Sequence, residues 1–520
     1  MNDSKSEIQS FYKDKTIFIT GASGFMGKVL MEKLLYRCSD LDKMYILIRG
    51  KKGRTFDLRL EDIFNLPLFQ RLSKEKPHMF KKVIPLNGDI LSDNLGLTEE
   101  QRECLINEVH VTFHCAASLR LEAKLKDAIE MNTIGTKRVL DLAKQMKRLV
   151  CFMHLSTAFC HVDQEELGEC IFDPPHDPHE IMKLVQWMDE ETLDLITPKL
   201  LHPHPNCYTY SKRLAETLVA NEYPNLPCCI ARPAIVCPSY EEPMPGWVDN
   251  LNGPTGLLVG AGKGVIRSMY CKANYNAEVI PVDFAINALI VNAWKVATQE
   301  KMKTIPTFNL TQNNIKQITW GEVLEKGRAI IYDYPFEGQV WYPDGDIRSS
   351  KLIHNLFVFF FHIIPAYLID FLMLILRQKR FMVRLQKRIS VGLEMLQYFT
   401  TRNWVFHNRN LYVTHNSMTP TDQKLFPVIT FDVDVKEYFK NVILGTRQYC
   451  MKEDLSTLPQ ARRHQKIMYI IHITSIYLFY FGVLYFIYNR SDTLRFFLDY
   501  ITELMKSLPL IGTLVEKVHL

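Results

Sequence analysis

An apolar run from Thr16 to Thr20 leads directly into Gly21-Ala22-Ser23-Gly24-Phe25-Met26-Gly27, and apolar positions at helical spacing follow over Lys28–Arg37. A buried strand, a glycine turn and a helix in this order place backbone amides at a helix N-terminus, where a pyrophosphate binds. The three glycines stand three residues apart, whereas the commonest dinucleotide fingerprint spaces its first two glycines by two. We therefore predict a variant dinucleotide site whose cofactor-binding residues include Thr20, Gly21, Ser23, Gly24, Phe25 and Gly27.

The alternation of short apolar runs with helical periods continues to residue 160 and predicts the fold class. Further buried strands are expected at Tyr45–Ile48, Val83–Leu86, Val111–Cys115, Phe152–Ser156 and Cys228–Arg232. Helices over Lys28–Arg37 and Ala128–Met146 supply the crossovers of a parallel sheet. We predict an α/β chain with a doubly wound, Rossmann-type parallel sheet, a mostly helical C-terminal domain and a C-terminal transmembrane helix.

The end of the second predicted strand indicates which dinucleotide binds. An NAD-specific site has an acidic residue there for the ribose 2′-hydroxyl, but this chain has Arg49, with Lys52 close behind. Both suit a 2′-phosphate, because a charge-assisted hydrogen bond contributes roughly 1.5 to 3 kcal/mol. We predict NADPH as the cofactor, and a solvated basic loop is the alternative.

Short polar and small residues close the next two strands. Asp89 is placed to accept from the adenine amino group, with helix capping as its alternative role. Ala116 and Ala117 have side chains small enough for the cofactor to lie close over the strand ends.

Tyr208 and Lys212 are four positions apart and so share one face of a predicted helix. We expect Lys212, together with a positively charged nicotinamide, to lower the pKa of the phenol. In the reducing direction Tyr208 donates a proton to the oxygen that receives charge, and Lys212 also holds the nicotinamide ribose. Ser156 or Thr157 positions the carbonyl. The Y-x-x-x-K pattern is weak alone, but its place behind a glycine turn and a Ser-Thr strand end favours hydride transfer.

Composition along the chain predicts its organisation. We expect an NADP-binding reductase domain at 1–340, with an insertion at 161–205 that holds a helix over 179–195. A long loop over 243–264 is able to fold over a ligand. A second domain at 350–455, a transmembrane helix at 467–488 and a tail at 489–520 follow.

Two apolar stretches bear on membranes. Leu356–Leu376 is interrupted by His362, Pro365 and Asp370, so a buried helical pair, an interfacial segment and an imperfect span all fit. Ile467–Tyr488 has no charged residue and covers about 33 Å as a helix, enough to cross a bilayer. Its basic flanks predict a cytosol-facing catalytic body on an endoplasmic reticulum or peroxisome membrane.

Several function classes are disfavoured. The net charge is only +5 and the basic residues do not form one stripe, so we expect no nucleic-acid partner. The 12 cysteines show no C-x-x-C pair or zinc spacing, so no metal is predicted. The polar first fifteen residues lack the apolar core of a signal peptide. The oligomeric state stays open.

These residues resemble the alcohol-forming fatty acyl-CoA reductases of animals, of the kind abundant in insects, within the extended short-chain dehydrogenase/reductase superfamily. The segments that carry the resemblance are TGASGFMG, LIRGKKG, NGD, HCAASLR, HLSTAFC and YTYSK, the helix start at Asn132, and Pro365–Asp370, Asn403-Trp404 and Gly445-Thr446-Arg447 in the C-terminal part. Phe159 stands where the family usually has tyrosine. The resemblance implies that Asn132 belongs to the cofactor site. It also implies two NADPH-dependent hydride transfers, from a long-chain acyl-CoA to a primary alcohol, on a lipid membrane.

Two other functions stay open from the sequence. Steroid or sugar-nucleotide oxidoreductases and epimerases share the motifs of the first domain, although not those of the second. A catalytically silent membrane adaptor could keep the same fold.

Overall fold

The computed structural model describes residues 5–50, 56–313, 315–429 and 432–506. Its strands are β1 Ile17–Thr20, β2 Met44–Ile48, β3 Val83–Asn87, β4 Val111–His114, β5 Cys151–Leu155, β6 Glu166–Leu167, β7 Cys228–Pro233, β8 Ile235–Cys237, β9 Ser268–Tyr270, β10 Val279–Pro281, β11 Thr307–Leu310, β12 Asp346–Arg348 and β13 Val405–Phe406.

The helices of the first two thirds are α1 Glu7–Tyr12, α2 Phe25–Arg37, α3 Phe56–Phe64, α4 Gln70–Glu75, α5 Glu99–Glu108, α6 Leu125–Ala128, α7 Gly135–Ala143, α8 Pro178–Trp187, α9 Glu190–Leu201, α10 Cys207–Glu222, α11 Pro254–Gly262, α12 Val282–Thr298 and α13 Trp320–Asp333. The C-terminal helices are α14 Lys351–Val358, α15 Ile364–Ile375, α16 Met382–Thr400, α17 Arg409–Ser417, α18 Pro420–Leu425, α19 Val435–Gly445, α20 Leu458–Arg490 and α21 Asp492–Lys506. Wider π-helical turns join α6 to α7 at Ile129–Ile134 and α14 to α15 at Phe359–Ile363.

Seven parallel strands form the central sheet in the order β11-β7-β5-β4-β1-β2-β3. This order reverses direction beside β1, as a doubly wound sheet does, and the crevice for a dinucleotide opens there at the carboxyl ends of the strands. One core lies between the sheet and α2 with α12, and a second lies between the opposite face and α7 with α10. The predicted fold class is confirmed.

The six predicted strands are present in the central sheet, and three differences from the local predictions bear on the site. β11 lies at the edge of the sheet, beside β7, and was not predicted. The single helix expected over 179–195 is wrong, because Met188 interrupts it and the Asp189 side chain caps a second helix, α9, through the Thr192 amide. The expected long loop over 243–264 contains α11 in its second half.

The C-terminal region packs directly on the sheet domain. Leu411, Phe426 and Val428 belong to the same core as α12. β13 pairs in parallel with β6, which lies inside the 161–205 segment. Two segments far apart in the chain therefore meet beside β11, where the Asn309 side chain donates to the Leu167 and His407 carbonyls.

Two apolar helical stretches project from this body. Lys351–Ile375 and Leu455–Arg490 are both long and apolar enough to cross a membrane, and little of either is buried against the protein.

A buried ion pair holds α10 against β7. Both Glu216 and Arg232 are almost fully buried, and the guanidinium donates to the carboxylate at 2.6 and 2.9 Å. Burial alone would raise the pKa of Glu216, but Arg232 beside it holds that pKa well below its usual range. The pair is therefore charged and desolvated.

We expect Glu216→Leu to lower the free energy of unfolding by about 3 to 5 kcal/mol, because it leaves the Arg232 charge buried without its partner. The matched control is Glu190→Leu, which removes an exposed partner of Lys124 and should cost less than about 1 kcal/mol. Denaturant unfolding in detergent measures both variants. Equal losses in the two would contradict this role of the pair.

Candidate active site

The turn between β1 and α2 has the shape that the glycines predict. Gly21 has φ +75°, and a Cβ there would lie 2.6 Å from the backbone of Cys115 and Ala116. A Cβ on Gly27 would overlap the Gly21 carbonyl oxygen and lie 2.8 Å from the Ala22 Cα. The turn thus rests on the end of β4 and on the first turn of α2, and only glycine fits at both positions.

The start of α2 is suited to a phosphate. Gly24 is the N-cap and has no side chain to occupy the free amides of the first turn. Ser23 and Phe25 are half-buried beside it, and Gly24 is exposed. These residues fit the pyrophosphate of a dinucleotide, which the helix dipole and free amides attract.

Thr20 lies beneath this turn rather than in the crevice. Its hydroxyl contacts the Nδ1 atom of His114 at 2.7 Å and accepts from the Ala116 amide at 3.3 Å. The side chain is fully buried. Thr20 therefore fixes the two strand ends that form the floor of the predicted cofactor site.

The predicted adenosine end of the site brings Arg49 and Asp89 together. Arg49 Nη1 lies 3.6 Å from a carboxylate oxygen of Asp89, and the guanidinium is more than half exposed. The other oxygen of Asp89 accepts from the Leu91 amide. Lys52 lies outside the described residues.

Tyr208 lies in the first turn of α10, next to the residues that follow β5. The Thr157 side chain lies close enough to the phenol to lower its pKa. Ser156 precedes it, with its amide bonded to the Ala231 carbonyl of β7 at 2.8 Å. The structure therefore brings Tyr208, Thr157 and Ser156 to one end of the sheet, as predicted.

The electrostatics of this pair differ from the expectation. Burial, followed by the neighbouring Cys160, raises the pKa of Tyr208, and the Thr157 side chain only partly opposes this. Lys212 does not contribute to that shift; its ammonium is buried and donates to the Leu155 carbonyl at 2.7 Å. In the described structure the phenol therefore keeps its proton, which is the form that donates during a reduction.

Burial lowers the pKa of Lys212 to about 8. One of its three N–H donors is used within the described part of the chain. The remaining donors suit ribose hydroxyls, so the geometry fits the predicted role of Lys212 in holding a nicotinamide ribose.

Asn132 connects the loop after β4 to the catalytic helix. Its side chain accepts from the Ser118 amide at 2.8 Å and donates to Ser211 Oγ at 2.9 Å. Ser211 in turn donates to the Tyr208 carbonyl. Asn132 is buried and acts on the site through these contacts. Ala116 and Ala117, which follow β4 at the floor of the predicted cofactor site, are half-buried.

Sequence reasoning missed a buried cluster under α10. Cys160, His161 and Glu216 place three potential metal-ligand atoms within 4.8 Å of one another. The Glu216 oxygens already accept from Arg232, and His161 Nε2 lies 2.8 Å from one of them. The guanidinium neutralises the carboxylate, and Cys160 Sγ lies 3.3 Å from the same carboxylate.

A segment from the 243–264 region closes one side of the crevice. Asp249 forms an ion pair with Lys28 in the first turn of α2. Gly246 packs so closely on Asn441 and Gly445 of α19 that no Cβ fits at Gly246. The predicted loop thus lies between the cofactor helix and the C-terminal region, and no local signal in the sequence revealed either contact.

An apolar wall begins next to Thr157. Phe159 packs edge-on against Phe399, Trp404 and Phe406, with ring centroids 5.1 to 5.6 Å apart. Ile235 packs on this cluster and also on a second one around Trp320. The phenylalanine that replaces tyrosine at position 159 therefore extends an apolar surface.

Known proteins match both halves of this arrangement. Two family models, both described as male sterility protein, match the chain. The NAD-binding model covers residues 19–289, and the second model covers residues 361–453. Fatty acyl-CoA reductase 1 of Mus musculus is 36% identical over 457 residues, 88% of each chain. Fatty acyl-CoA reductase wat of Drosophila melanogaster is 34% identical over 476 residues, 92% of each chain.

The chain belongs to the fatty acyl-CoA reductase family. The NAD-binding model over the sheet domain agrees with a nicotinamide cofactor in the crevice beside Gly21–Gly27. The resemblance drawn from the motifs is confirmed.

Solved structures agree on the fold of this family member. The terminal R domain from the myxalamid PKS-NRPS biosynthetic pathway has a TM-score of 0.55 and 17% identity, and the match covers 85% of this chain and 93% of that one. The reductase domain of a nonribosomal peptide synthetase from Mycobacterium tuberculosis has a TM-score of 0.54 and 17% identity, with 85% and 96% covered. At this identity the likeness concerns the fold alone.

Gly27→Val should weaken dinucleotide binding at least tenfold, equivalent to about 1.4 kcal/mol, because the new side chain displaces the Gly21 carbonyl. Gly168→Ala is the control, since its Cβ meets only Cys170 Sγ, at 3.6 Å. Fluorescence titration with NADPH measures affinity, and the unfolding temperature reports whether each variant folds. Unchanged affinity in a folded Gly27→Val protein would refute the phosphate turn.

Proposed function

We propose that this protein reduces long-chain fatty acyl-CoA to the primary alcohol, using two NADPH and two protons and releasing CoA and two NADP⁺. The observation that carries the proposal is that Tyr208 of α10 lies beside Thr157 and Ser156 at the carboxyl end of β5, two strands from the glycine turn that follows β1. The family membership supports the acyl-CoA substrate, since the curated relatives are named fatty acyl-CoA reductases.

The cofactor and the side chains of the site have different roles in the proposed reaction. Bound NADPH supplies the hydride that forms a new C–H bond at the carbonyl carbon in each of two rounds. In the first round Ser156 and Tyr208 stabilise the oxyanion. The C–S bond then breaks, which releases CoA thiolate and forms an aldehyde. In the second round Tyr208 gives its proton to the oxygen, which yields the alcohol, and solvent restores that proton.

Tyr208→Phe should reduce turnover at least about a thousandfold, since it removes the acid and an oxyanion donor, while NADPH affinity stays within about threefold. Tyr210→Phe is the matched control, because that phenol contacts His176 rather than the strand end. Purified protein is incubated with NADPH and stearoyl-CoA, and the alcohol is quantified by gas chromatography. Full activity in Tyr208→Phe would overturn the site, and no alcohol from wild type with any long chain would overturn the reaction.

Arg49 supports NADPH over NADH. Its exposed guanidinium lies at the end of β2, within 3.6 Å of Asp89 at the end of β3. That position suits a 2′-phosphate on the adenosine ribose.

Arg49→Ala should weaken NADPH about 10- to 150-fold, the loss of a charge-assisted bond of roughly 1.5 to 3 kcal/mol, and leave NADH nearly unchanged. Lys74→Ala, an exposed lysine on α4, is the control for general loss of positive charge. The kcat/KM for each cofactor is measured with one acyl-CoA. An unchanged ratio between cofactors would show that Arg49 does not read the phosphate.

Two apolar cavities support a fatty chain as substrate. They enclose about 750 and 840 Å³ of space, part of it open to solvent, and share Pro254, Leu258, Trp320 and Val323 in their walls. The larger is lined also by Gln312 and Lys316, which follow β11 at the catalytic edge of the sheet. Ile235 connects their wall to the aromatic cluster beside Thr157.

Val323→Trp, which fills space in both cavities, should lower kcat/KM for stearoyl-CoA at least tenfold and change that for octanoyl-CoA less than about threefold, since each buried methylene contributes ~0.8 kcal/mol. Val413→Trp places the same bulk on an exposed position of α17 as the control. Equal effects on both chain lengths would place the acyl chain elsewhere.

The membrane location supports the same reaction. α20 continues beyond the body as an apolar helix long enough to cross a bilayer, and Arg462, Arg463 and Lys466 precede its apolar part. The basic residues on this flank favour a cytosol-facing catalytic body. Endoplasmic reticulum and peroxisome membranes both suit such an anchor.

A further inference from the structure

The helical hairpin formed by α14, α15 and α16, residues Lys351–Thr400, has an exposed surface that the catalytic site does not use. Its first helix exposes large apolar side chains to solvent, among them Tyr367, Leu368, Phe371, Leu372, Ile375 and Leu376. Its turn and second helix expose basic side chains: Arg377, Lys379, Arg380, Arg384, Lys387 and Arg388. Within the described part of the chain, none of these six bases makes a salt bridge.

The hairpin is fixed to the body near both of its ends, on one short segment. His354 contacts Ser268 Oγ at 2.9 Å, and His362 accepts from the Arg267 amide at 2.9 Å. On the returning helix, Gln386 donates to the Val265 carbonyl at 3.0 Å and Lys272 donates its amide to Thr400. Only residues 363–385 extend beyond these contacts.

That free part is too short to cross a bilayer. From His362 to Leu376 the helix rises about 21 Å at 1.5 Å per residue, against a hydrocarbon core of about 30 Å. Asp370 also has a local function, because its carboxylate accepts from the Phe381, Met382 and Val383 amides and so caps α16 at the turn. The carboxylate stabilises a reversal of the chain, where an uninterrupted span would leave it without partners.

The same contacts set the hairpin level with the base of α20. The Arg267 guanidinium binds Asp344 at 2.6 and 2.9 Å. Asp344 lies 3.6 Å from Nε2 of His472, whose Nδ1 accepts from the Trp341 indole at 3.1 Å. His472 is near the start of the apolar part of α20, so His362 and His472 meet the body at one depth. The hairpin therefore begins where α20 enters the membrane.

We propose that the hairpin lies in the interface of a bilayer that contains anionic lipid, without crossing it. Its apolar helix faces the acyl chains and its six exposed basic side chains face lipid phosphates, the arrangement of an interfacial amphipathic element. This surface goes beyond the catalytic activity and depends only on the anchoring of α20.

The test uses the full chain reconstituted in vesicles, with flotation to confirm insertion through α20. Phe371→Trp and, as a second variant, Ile375→Trp report on the depth of the hairpin in the bilayer. Leu195→Trp, at an exposed position of α9, is the control for the body of the protein. Lipids brominated near the headgroup or near the chain end quench tryptophan by contact, and fluorescence above the wild-type background is compared.

We expect quenching of both hairpin tryptophans at least about twofold stronger from the shallow bromine than from the deep one, and none for Leu195→Trp. Replacing the six bases by glutamine should abolish the added quenching that phosphatidylserine brings over phosphatidylcholine alone. Strongest quenching by the deep bromine would show a span, and no quenching would show no membrane contact. Quenching that is equal with and without phosphatidylserine would exclude recognition of anionic lipid.

Discussion

The hydrogen bond from the Lys212 ammonium to the Leu155 carbonyl fixes the catalytic helix on the sheet, and the remaining site geometry depends on it. Leu155 is the last residue of β5, so the bond sets where Ser156 and Thr157 leave the strand. Because Lys212 is one helical turn after Tyr208, the same bond sets where the phenol lies. A buried ammonium with one protein partner and a pKa of about 8 is also prepared to receive further acceptors.

Two other buried contacts prevent α10 from turning about that bond. Asn132 reaches Ser211 from the helix after β4, and Arg232 reaches Glu216 from β7. The three contacts come from three different elements and reach α10 at positions 211, 212 and 216. Such support over-determines the helix, which an active site needs because small misplacements of a proton donor reduce catalysis strongly.

The sequence predicts those structural features that depend on residues close together along the chain. Strands β1 to β5, the glycine turn and the Tyr208 helix follow from local periodicity, and the family resemblance names the reaction. Contacts between residues far apart in the chain follow from no local pattern. Examples are the ion pair of Asp249 with Lys28, the ring contact of Phe159 with Trp404 and the hydrogen bond from the Arg267 amide to His362. The direction of the Tyr208 pKa was wrong for the same reason, since it depends on burial and Cys160 and not on the i+4 lysine. Asp370 interrupts an apolar run in the sequence, but in the structure it caps α16, which begins twelve residues later.

The contacts that hold the apolar helices also place an apolar cavity at the base of those helices. Ile266, Ser268, Asp346 and Ile347 line the smaller cavity, and Arg267 and Asp344 beside them bind His362 and His472. Lifting a chain of about fifteen methylenes from a bilayer through water would cost roughly 12 kcal/mol at ~0.8 kcal/mol each. With the two apolar helices in a bilayer as proposed, a cavity at their base removes most of that cost, because the chain exchanges one apolar environment for another. In the proposed interfacial arrangement, the polar contacts around Arg267 therefore hold this cavity at the level of the lipid acyl chains as well as joining the helices to the body.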